Sequence, residues 1–334
     1  MQARKILFLP PKSLAQDILS EKAKNTLESQ GVVLWNELDR NYTSDELAEL
    51  LPGAEAVVTS WGSPLFTPEL LAAADSLRIV GHAAGTVKRL MPKAGYDQGI
   101  VVLSAAAVIA DAVAEYTLWA MLTLQRKLLR YVQLMQAERG WKSTNEDHGH
   151  SLYKKKVGIV SASMVGRRVI KLLQPFGCDI MVYDPYLRET DRQTLGVRSV
   201  ELAELFATGD VISLHAPTTP ETHRMIGAAH FQAIRDEAVF INTARTWVLD
   251  EAALIAELQT GRFRAILDVF EQEPLPAEHP LRDLPNVYLT PHISGHSVEV
   301  RQRLVEEIAD DIQAFFAGEP MRLAVPPERL AIMA

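Results

Sequence analysis

Short apolar stretches alternate with amphipathic stretches along the chain, and this alternation predicts the fold. In the N-terminal third, the apolar stretches predict strands over Ile6–Leu9, Val32–Trp35, Ala56–Thr59, Arg78–Gly81 and Ile100–Ser104. Apolar residues at helical spacing predict helices over Leu14–Gln30, Ser44–Leu51 and Thr67–Ala74, with Ser44 and Thr67 as N-caps. Strands that alternate with helices indicate a parallel sheet with right-handed crossovers.

A second series of the same kind follows a long helical pattern over Ile109–Gln136 and a polar loop over Lys142–His150. Its predicted strands are Lys156–Val160, Asp179–Tyr183, Val211–Leu214, Ala238–Asn242, Ala265–Val269 and Val287–Thr290. A last amphipathic helix covers Val298–Phe316 and ends before Gly318 and Pro320. The pattern predicts an α/β protein with two domains, each built on a parallel sheet.

Composition narrows the classes of function. The formal net charge of −8 over 334 residues argues against a nucleic-acid partner, which needs a basic surface. The sequence has a single cysteine, Cys178, so an intrachain disulfide is excluded, and this residue is expected to play an inert packing role. No residues show the spacing of zinc ligands, so no metal is predicted. The apolar stretch Ile6–Pro11 is too short for a signal peptide, and no stretch approaches the roughly 20 apolar residues of a membrane span. A cytoplasmic protein without a membrane partner is expected.

The strand Lys156–Val160 runs into a turn and a helix predicted from Val165, which is the arrangement of a dinucleotide site. The usual G-x-G-x-x-G reads Ser161-x-Ser163-x-x-Gly166 here, so two of three glycines are missing. Gly166 still permits close packing of helix on strand. Ser163 places a Cβ where the backbone approaches phosphate, although its hydroxyl can also donate a hydrogen bond.

Asp184 ends the next predicted strand. A carboxylate at this place would accept hydrogen bonds from the adenosine ribose and repel a 2′-phosphate, which favours NAD over NADP. The alternative is an Asp-Pro turn that binds no ligand. The sequence of the loop and the position of Asp184 leave open whether this acid binds a ribose or only forms a turn.

Further motifs identify a family. They are Val211–Pro217 with Pro220–Thr222, Ile241–Arg245 with Val248–Glu251 and Leu254, Leu267–Pro274, and Asn286–His292. In this order and spacing they resemble the D-isomer-specific 2-hydroxyacid dehydrogenase family. The resemblance extends to Ala112–Glu115 and, more loosely, to Gly81–Gly85, and so covers most of the chain.

The resemblance implies two Rossmann-like domains with the active site in the cleft. Residues 1–105 and 298–334 would form a discontinuous substrate domain, and residues 106–297 an inserted NAD-binding domain. It also implies a homodimer through the NAD-binding domain, with the helix over Ile109–Gln136 as the expected contact.

The resemblance assigns the catalysis to Arg245, Glu273 and His292. His292 would donate a proton to the oxygen of a 2-oxo acid and take it back from a 2-hydroxy acid, since imidazole titrates near neutral pH. Glu273 would orient the ring and favour its protonated form. Arg245 would bind the substrate carboxylate and polarise the carbonyl. Each residue taken alone also fits an ordinary role, as a surface arginine, a loop acid and a loop histidine.

The other assignments by resemblance concern binding. The predicted cofactor contacts are Ser161, Ser163, Met164, Val165, Gly166, Asp184, His215, Pro217, Thr222, Thr243 and Asp268. Met164 and Val165 would offer backbone N–H groups to the pyrophosphate, and Asp268 would contact the nicotinamide carboxamide. The predicted substrate contacts are Trp61, His82, Ala84 and Gly85, of which the last two would hold the carboxylate by their N–H groups.

Several positions depart from the family's pattern. Thr246 replaces a glycine after Arg245 and must avoid positive φ. Trp247 either narrows the cleft or packs against it. Lys88 and Arg89 replace the usual acids, and with His82 nearby they suggest a second anionic group on the substrate; the alternative is a solvated basic helix start.

The sequence thus predicts an NAD(H)-dependent oxidoreductase that interconverts a D-2-hydroxy acid and its 2-oxo acid, with the D configuration resting on resemblance. One alternative is a dinucleotide-sensing, corepressor-like regulator, which would tolerate a damaged set of catalytic residues. Another is a formate dehydrogenase-like enzyme, in which Gln stands at the place of Glu273. The presence of Glu273 argues against the latter.

Overall fold

The computed structural model describes residues 3–143 and 148–333. Residues 144–147 of the predicted loop lie outside the described residues, as do residues 1, 2 and 334 of the predicted substrate domain. The chain divides into two compact units, one of residues 1–109 and 296–334 and the other of residues 110–295.

The first unit is built on a five-stranded parallel sheet of order β2-β1-β3-β4-β5. Its strands are β1 (Lys5–Phe8), β2 (Val32–Trp35), β3 (Ala54–Thr59), β4 (Ile79–His82) and β5 (Val101–Ser104). Its helices are α1 (Lys12–Ile18), α2 (Glu21–Gln30), α3 (Ser44–Leu50), α4 (Pro68–Ala73), α5 (Lys93–Asp97) and α13 (Val298–Ala317), the last helix of the chain.

Packing explains why α13 belongs with the N-terminal residues. Leu304, Ile308 and Ile312 recur at helical spacing and are buried. A Cβ on Gly81, in β4, would lie 2.3 Å from Ile308 Cγ2, so only glycine lets helix and strand approach this closely. The amphipathic pattern of the last helix is therefore the pattern of a core helix of this unit.

The second unit holds a seven-stranded parallel sheet of order β12-β11-β10-β9-β6-β7-β8. Its strands are β6 (Lys156–Val160), β7 (Asp179–Tyr183), β8 (Arg198–Ser199), β9 (Val211–Leu214), β10 (Val239–Asn242), β11 (Arg264–Leu267) and β12 (Val287–Leu289). The helices, of which the first begins just before the unit, are α6 (Ala106–Gln125), α7 (Leu128–Gln136), α8 (Met164–Leu173), α9 (Glu189–Leu195), α10 (Leu202–Thr208), α11 (Ala228–Ala233) and α12 (Glu251–Leu258).

The register of this sheet brings the strand ends into line. The last residues of the strands pair across the sheet as Tyr183, Val160, Leu214, Asn242, Leu267 and Leu289. The residue after each strand therefore lies at one edge. The chain reverses its order between β6 and β9, and open α/β sheets bind ligands at the carboxyl edge beside such a switch point.

The expected fold class, α/β with two Rossmann-like parallel sheets, is confirmed, whereas several helix predictions are wrong. The helix predicted over Leu14–Gln30 is two helices, because Leu19 is extended and Ser20 caps α2 by accepting a hydrogen bond from Ala23 N–H. The long helix predicted over Ile109–Gln136 breaks at Lys127, whose φ is 51°. The cap of α3 is Thr43, which forms a capping box with Glu46, and not Ser44.

The expectation that no stretch approaches a membrane span is also wrong, since one helix has the length and composition of such a span. Helix α6 has 20 residues and is apolar enough to cross a membrane. Half of its most apolar window is buried inside the protein, where Met121 and Leu124 pack in the core of the second unit. Core helices of globular proteins have the same length and composition, so α6 alone does not establish a span.

Candidate active site

The predicted catalytic residues lie just beyond three neighbouring strands. Arg245 follows β10, Glu273 follows β11, and His292 follows β12. His292 Nδ1 lies 2.8 Å from Glu273 Oε2, and Glu273 Oε1 accepts a hydrogen bond of 3.0 Å from Phe270 N–H. The side chains of His292 and Glu273 are 44% and 37% exposed, so a small molecule can reach the pair.

Charge couples Arg245 to this pair. Burial raises the pKa of Glu273, but hydrogen bonds from His292 and Phe270 N–H and the positive charges of His292 and Arg245 outweigh it, so the pKa lies below its ordinary value. Burial lowers the pKa of Arg245, and the charge of Glu273 partly offsets this effect. Arg245 also donates a 2.6 Å hydrogen bond to the carbonyl oxygen of Ala244. The arrangement keeps a carboxylate beside an imidazole and a half-buried guanidinium.

The fully buried Asp268 shapes the turn that carries His292. Its carboxylate accepts hydrogen bonds of 2.9 Å from the N–H groups of both Ile293 and Ser294. It also accepts a 2.6 Å hydrogen bond from Thr290 Oγ1. Asp268 was predicted as a nicotinamide contact, which stays a prediction; in the structure its carboxylate binds three donors of the chain itself.

Thr290 and Tyr116 are residues that the sequence analysis missed. The Tyr116 hydroxyl lies 2.8 Å from Thr290 Oγ1, so helix α6 joins the hydrogen bonds around Asp268. The place of Thr290 two residues before His292 offered a signal, since it belongs to the same motif. Nothing in the pattern around Tyr116 distinguishes it from a core aromatic residue of a helix.

The turn after β6 fits a dinucleotide. Ser163 caps α8 by accepting a hydrogen bond from Gly166 N–H, while the N–H groups of Met164 and Val165 have no partner among the described residues. A helix start with free N–H groups attracts an anion such as pyrophosphate. A Cβ on Gly166 would lie 2.1 Å from Ser161 O, so glycine is required there.

Asp184 contacts the cofactor turn itself. Its Oδ2 accepts hydrogen bonds from Ser161 Oγ at 3.2 Å and Ala162 N–H at 2.8 Å. Its Oδ1 accepts a 2.9 Å hydrogen bond from Tyr186 N–H. The predicted contact with ribose stays a prediction, and the structure adds a role within the protein that the sequence did not suggest.

The loops after β9 and β10 hold the remaining predicted cofactor contacts. His215 is buried, with Nε2 2.9 Å from Ser213 Oγ, and burial lowers its pKa to about 3. Thr222 donates a 2.7 Å hydrogen bond to Pro217 O and thereby closes its loop. Thr243 is buried, with Oγ1 3.1 Å from Thr117 Oγ1.

Two buried polar atoms at this edge have no partner among the described residues. They are His215 Nδ1 and Asn242 Nδ2, and their residues stand at the ends of the neighbouring strands β9 and β10. Buried polar groups are normally hydrogen-bonded, so unpaired ones are a common mark of a ligand or water site. Asn242 is thus a third residue that the sequence analysis missed, after Thr290 and Tyr116.

The described contacts of Trp247 lie on the loop after β9. Its indole Nε1 donates a 3.0 Å hydrogen bond to Thr219 O, and its ring lies 4.2 Å from the His223 ring, centroid to centroid. Trp247 therefore packs on the loop after β9. Thr246 begins a short 3₁₀ turn after the extended Arg245 and does not adopt positive φ, as its β-branched side chain requires.

The predicted substrate contacts lie in the first unit. His82 ends β4 and is buried, with Nδ1 2.9 Å from Thr59 Oγ1; burial lowers its pKa to about 4. Ala84 is buried and Gly85 is partly exposed, with the Gly85 carbonyl accepting a hydrogen bond from Ser104 Oγ. The Trp61 side chain is exposed, and the Arg301 guanidinium lies over it, 5.3 Å from the centroid of the Trp61 ring. Because His82 is neutral near pH 7, it adds no charge to Lys88 and Arg89.

No group of three or more His, Cys, Asp or Glu residues that could hold a metal ion occurs in residues 3–143 and 148–333.

Comparisons with known proteins establish the family of the chain. The family model described as D-isomer specific 2-hydroxyacid dehydrogenase, NAD binding domain, matches residues 118–294. The D-3-phosphoglycerate dehydrogenase of Methanocaldococcus jannaschii is 33% identical over 310 residues, which cover 92% of this chain and 58% of that protein. This chain therefore spans little more than half the length of that relative.

Two further relatives cover more of their own length. The glyoxylate reductase of Korarchaeum cryptofilum is 33% identical over 288 residues, 84% of each chain. The solved structure of the TT0316 protein from Thermus thermophilus has a TM-score of 0.77 at 27% identity and covers 96% of this chain and 100% of that one. With its strand-end motifs and its cofactor turn, the chain belongs to the D-isomer-specific 2-hydroxyacid dehydrogenase family, and its second unit contains the family's NAD-binding domain.

Proposed function

We propose that the protein is an NAD(H)-dependent oxidoreductase that interconverts a D-2-hydroxy acid and its 2-oxo acid. The observation that carries the proposal is the 2.8 Å contact between His292 and Glu273. It occurs beside the charge of Arg245, at the same sheet edge as the turn that fits a dinucleotide. Reduction of a carbonyl is assisted by a positioned proton donor, and a histidine oriented by a carboxylate can supply the proton.

Each side chain has a distinct task in this proposal. The bound dinucleotide supplies or accepts the hydride at the substrate's C2. Arg245 binds the carboxylate with its planar fork and draws electron density from the carbonyl oxygen. His292 donates a proton to that oxygen during reduction and accepts it during oxidation. Glu273 holds Nδ1 of the ring and stabilises the imidazolium, so that Nε2 serves the substrate.

The remaining binding roles belong to the same proposal. The N–H groups of Met164 and Val165 hold the pyrophosphate, and the loops of His215 and Thr222 line the adenosine side. In the first unit, the N–H groups at Ala84 and Gly85 bind the substrate carboxylate, with His82 and Trp61 near them. Residues 1–105 and 298–334 act as the substrate domain, and residues 106–297 as the NAD-binding domain.

The experiment is NADH oxidation, followed by absorbance, with glyoxylate, pyruvate, hydroxypyruvate, phenylpyruvate and 2-oxoglutarate, and with NADPH in parallel. We expect turnover with NADH on at least one acid and its loss in His292→Ala. His148→Ala, at an exposed position, is the matched control. Measurable NADH binding without turnover on any acid would instead favour the dinucleotide-sensing role.

We propose further that the protein is a cytoplasmic homodimer that pairs through the second unit. Large apolar side chains on α6, on α7 and in the residues that follow are exposed, among them Trp119, Leu128, Met135 and Trp141. Exposed apolar patches of this kind commonly mark protein interfaces. Light scattering of the purified chain is the test, and a monomeric mass at micromolar concentration would contradict the dimer.

A further inference from the structure

Ser161 occupies a backbone conformation that usually belongs to glycine. Its φ is 76°, in the left-handed region, where the Cβ of an L-residue crowds the backbone. It stands at the first glycine position of the dinucleotide turn. Some interaction must therefore favour this conformation over the ordinary ones.

Hydrogen bonds to the next strand end supply that interaction. Ser161 N–H donates to Tyr183 O at 2.8 Å, and Ser161 Oγ and Ala162 N–H both donate to Asp184 Oδ2. One carboxylate oxygen thus binds the side chain of Ser161 and the backbone directly after it. A serine hydroxyl makes this contact, whereas glycine and alanine lack it.

The other side of Ser161 is equally confined. Its carbonyl oxygen lies where a Cβ on Gly166 would come within 2.1 Å, so the turn packs tightly on the first turn of α8. The peptide between Ser161 and Ala162 is held by Asp184 on one side and by α8 on the other. The N–H groups that this turn presents depend on that placement.

We propose that Ser161 is a positioning residue whose hydroxyl, bonded to Asp184, holds the cofactor turn in the shape that glycine would otherwise permit. This inference rests on the proposed NAD(H)-dependent function. It also limits what Asp184 offers to a ribose. An ionised carboxylate has about four lone-pair sites, and three donors among the described residues bind Asp184, so one site remains with respect to these residues.

The test compares Ser161→Ala, which keeps the Cβ and removes the hydroxyl, with Ser161→Gly, which removes both. Ser199→Ala, at an exposed position of β8, is the matched control. Hydrogen exchange of the Ala162 amide is measured in the cofactor-free protein, and NADH affinity is measured by fluorescence. We expect exchange about tenfold faster and NADH bound about tenfold more weakly in Ser161→Ala, with Ser161→Gly closer to the wild type.

Unchanged exchange in Ser161→Ala would overturn the proposal. If exchange is unchanged but NADH binds more weakly, the hydroxyl contacts the cofactor directly, and the positioning role is again overturned. The 2′-deoxy and 3′-deoxy adenosine analogues of NADH test the single remaining site, and we expect only one of them to bind more weakly. Absence of turnover in the wild type would contradict the proposed function, whereas exchange in the cofactor-free protein would still report on Ser161.

Discussion

The backbone carbonyl of Asp268 accepts a 2.9 Å hydrogen bond from the backbone N–H of His292. His292 has a φ of 54°, which is uncommon for any residue other than glycine. The two residues that follow it are bound by the Asp268 carboxylate. The buried acid therefore fixes both sides of the turn from which the imidazole extends. Strain at functional sites persists when the surroundings determine it in this way.

We expect Asp268→Asn to destabilise the protein by about 3 kcal/mol, since hydrogen bonds to charged groups are strong and the new NH₂ group must face a backbone donor. Urea unfolding measures the change. The exposed Asp283→Asn is the matched control. A loss no larger than that of the control would show that the turn does not depend on the carboxylate.

His292→Ala should lower kcat about 10²- to 10⁴-fold, the usual contribution of a general acid–base. NADH affinity should stay near that of the wild type, because the ring lies on a turn apart from the dinucleotide turn. Stopped-flow reduction and fluorescence titration measure the two quantities. A parallel loss of both would indicate a structural role.

Glu273→Gln should lower kcat about 10- to 100-fold and change the pH profile, because the amide cannot stabilise the imidazolium. The depressed pKa of Glu273 means that the carboxylate's contribution is complete above the ordinary value of 4.5 and is lost as the pH falls through its value in the folded protein. In the variant, stability and activity should therefore not show the loss at acidic pH that comes from protonation of Glu273. An identical profile in both proteins would contradict the pairing with His292.

His82→Gln should reduce the sensitivity of the protein to acid. Because burial lowers the pKa of His82 to about 4, the unfolded chain binds a proton below pH 6.5 while the folded chain does not. Stability therefore falls as the pH drops from 6.5 towards 4, by about 2 kcal/mol between pH 7 and pH 5 from this residue. Urea titrations at the two pH values should show a smaller difference in the variant. The exposed His148→Gln should leave the difference unchanged.

Gly166→Ala should destabilise the protein by about 1–3 kcal/mol and weaken NADH binding, because its Cβ meets Ser161 O at 2.1 Å and backbone must move. Gly227→Ala is the control, since a Cβ there has nothing within 4 Å and its φ of −117° suits any residue. Thermal unfolding and NADH titration compare the two. Equal unfolding temperatures and equal NADH affinities in the two variants would mean that the turn accommodates the Cβ without loss of stability.

The sequence predicted what depends on local pattern, and missed what depends on packing at a distance. Each predicted strand is present. Most are buried, and buried parallel strands are apolar along their length, although the edge strand β2 is partly exposed. The break at Lys127 and the cap at Thr43 leave little mark in the apolar spacing. The pairing of Glu273 with His292 followed from the family motifs, whereas the contact of Ser161 with Asp184 exists only because the register places β6 beside β7.

The first unit is formed by two segments that are far apart in the sequence, and this affects how it folds during synthesis. Its core includes helix α13, which follows the whole of residues 110–295 in the sequence. During translation, residues 110–295 leave the ribosome before the helix that packs against Gly81 exists. The sheet of the first unit therefore lacks the helix that covers one of its apolar faces, at a time when all residues of the second unit have been synthesised. Nascent chains stalled before residue 296 should bind chaperones through that face.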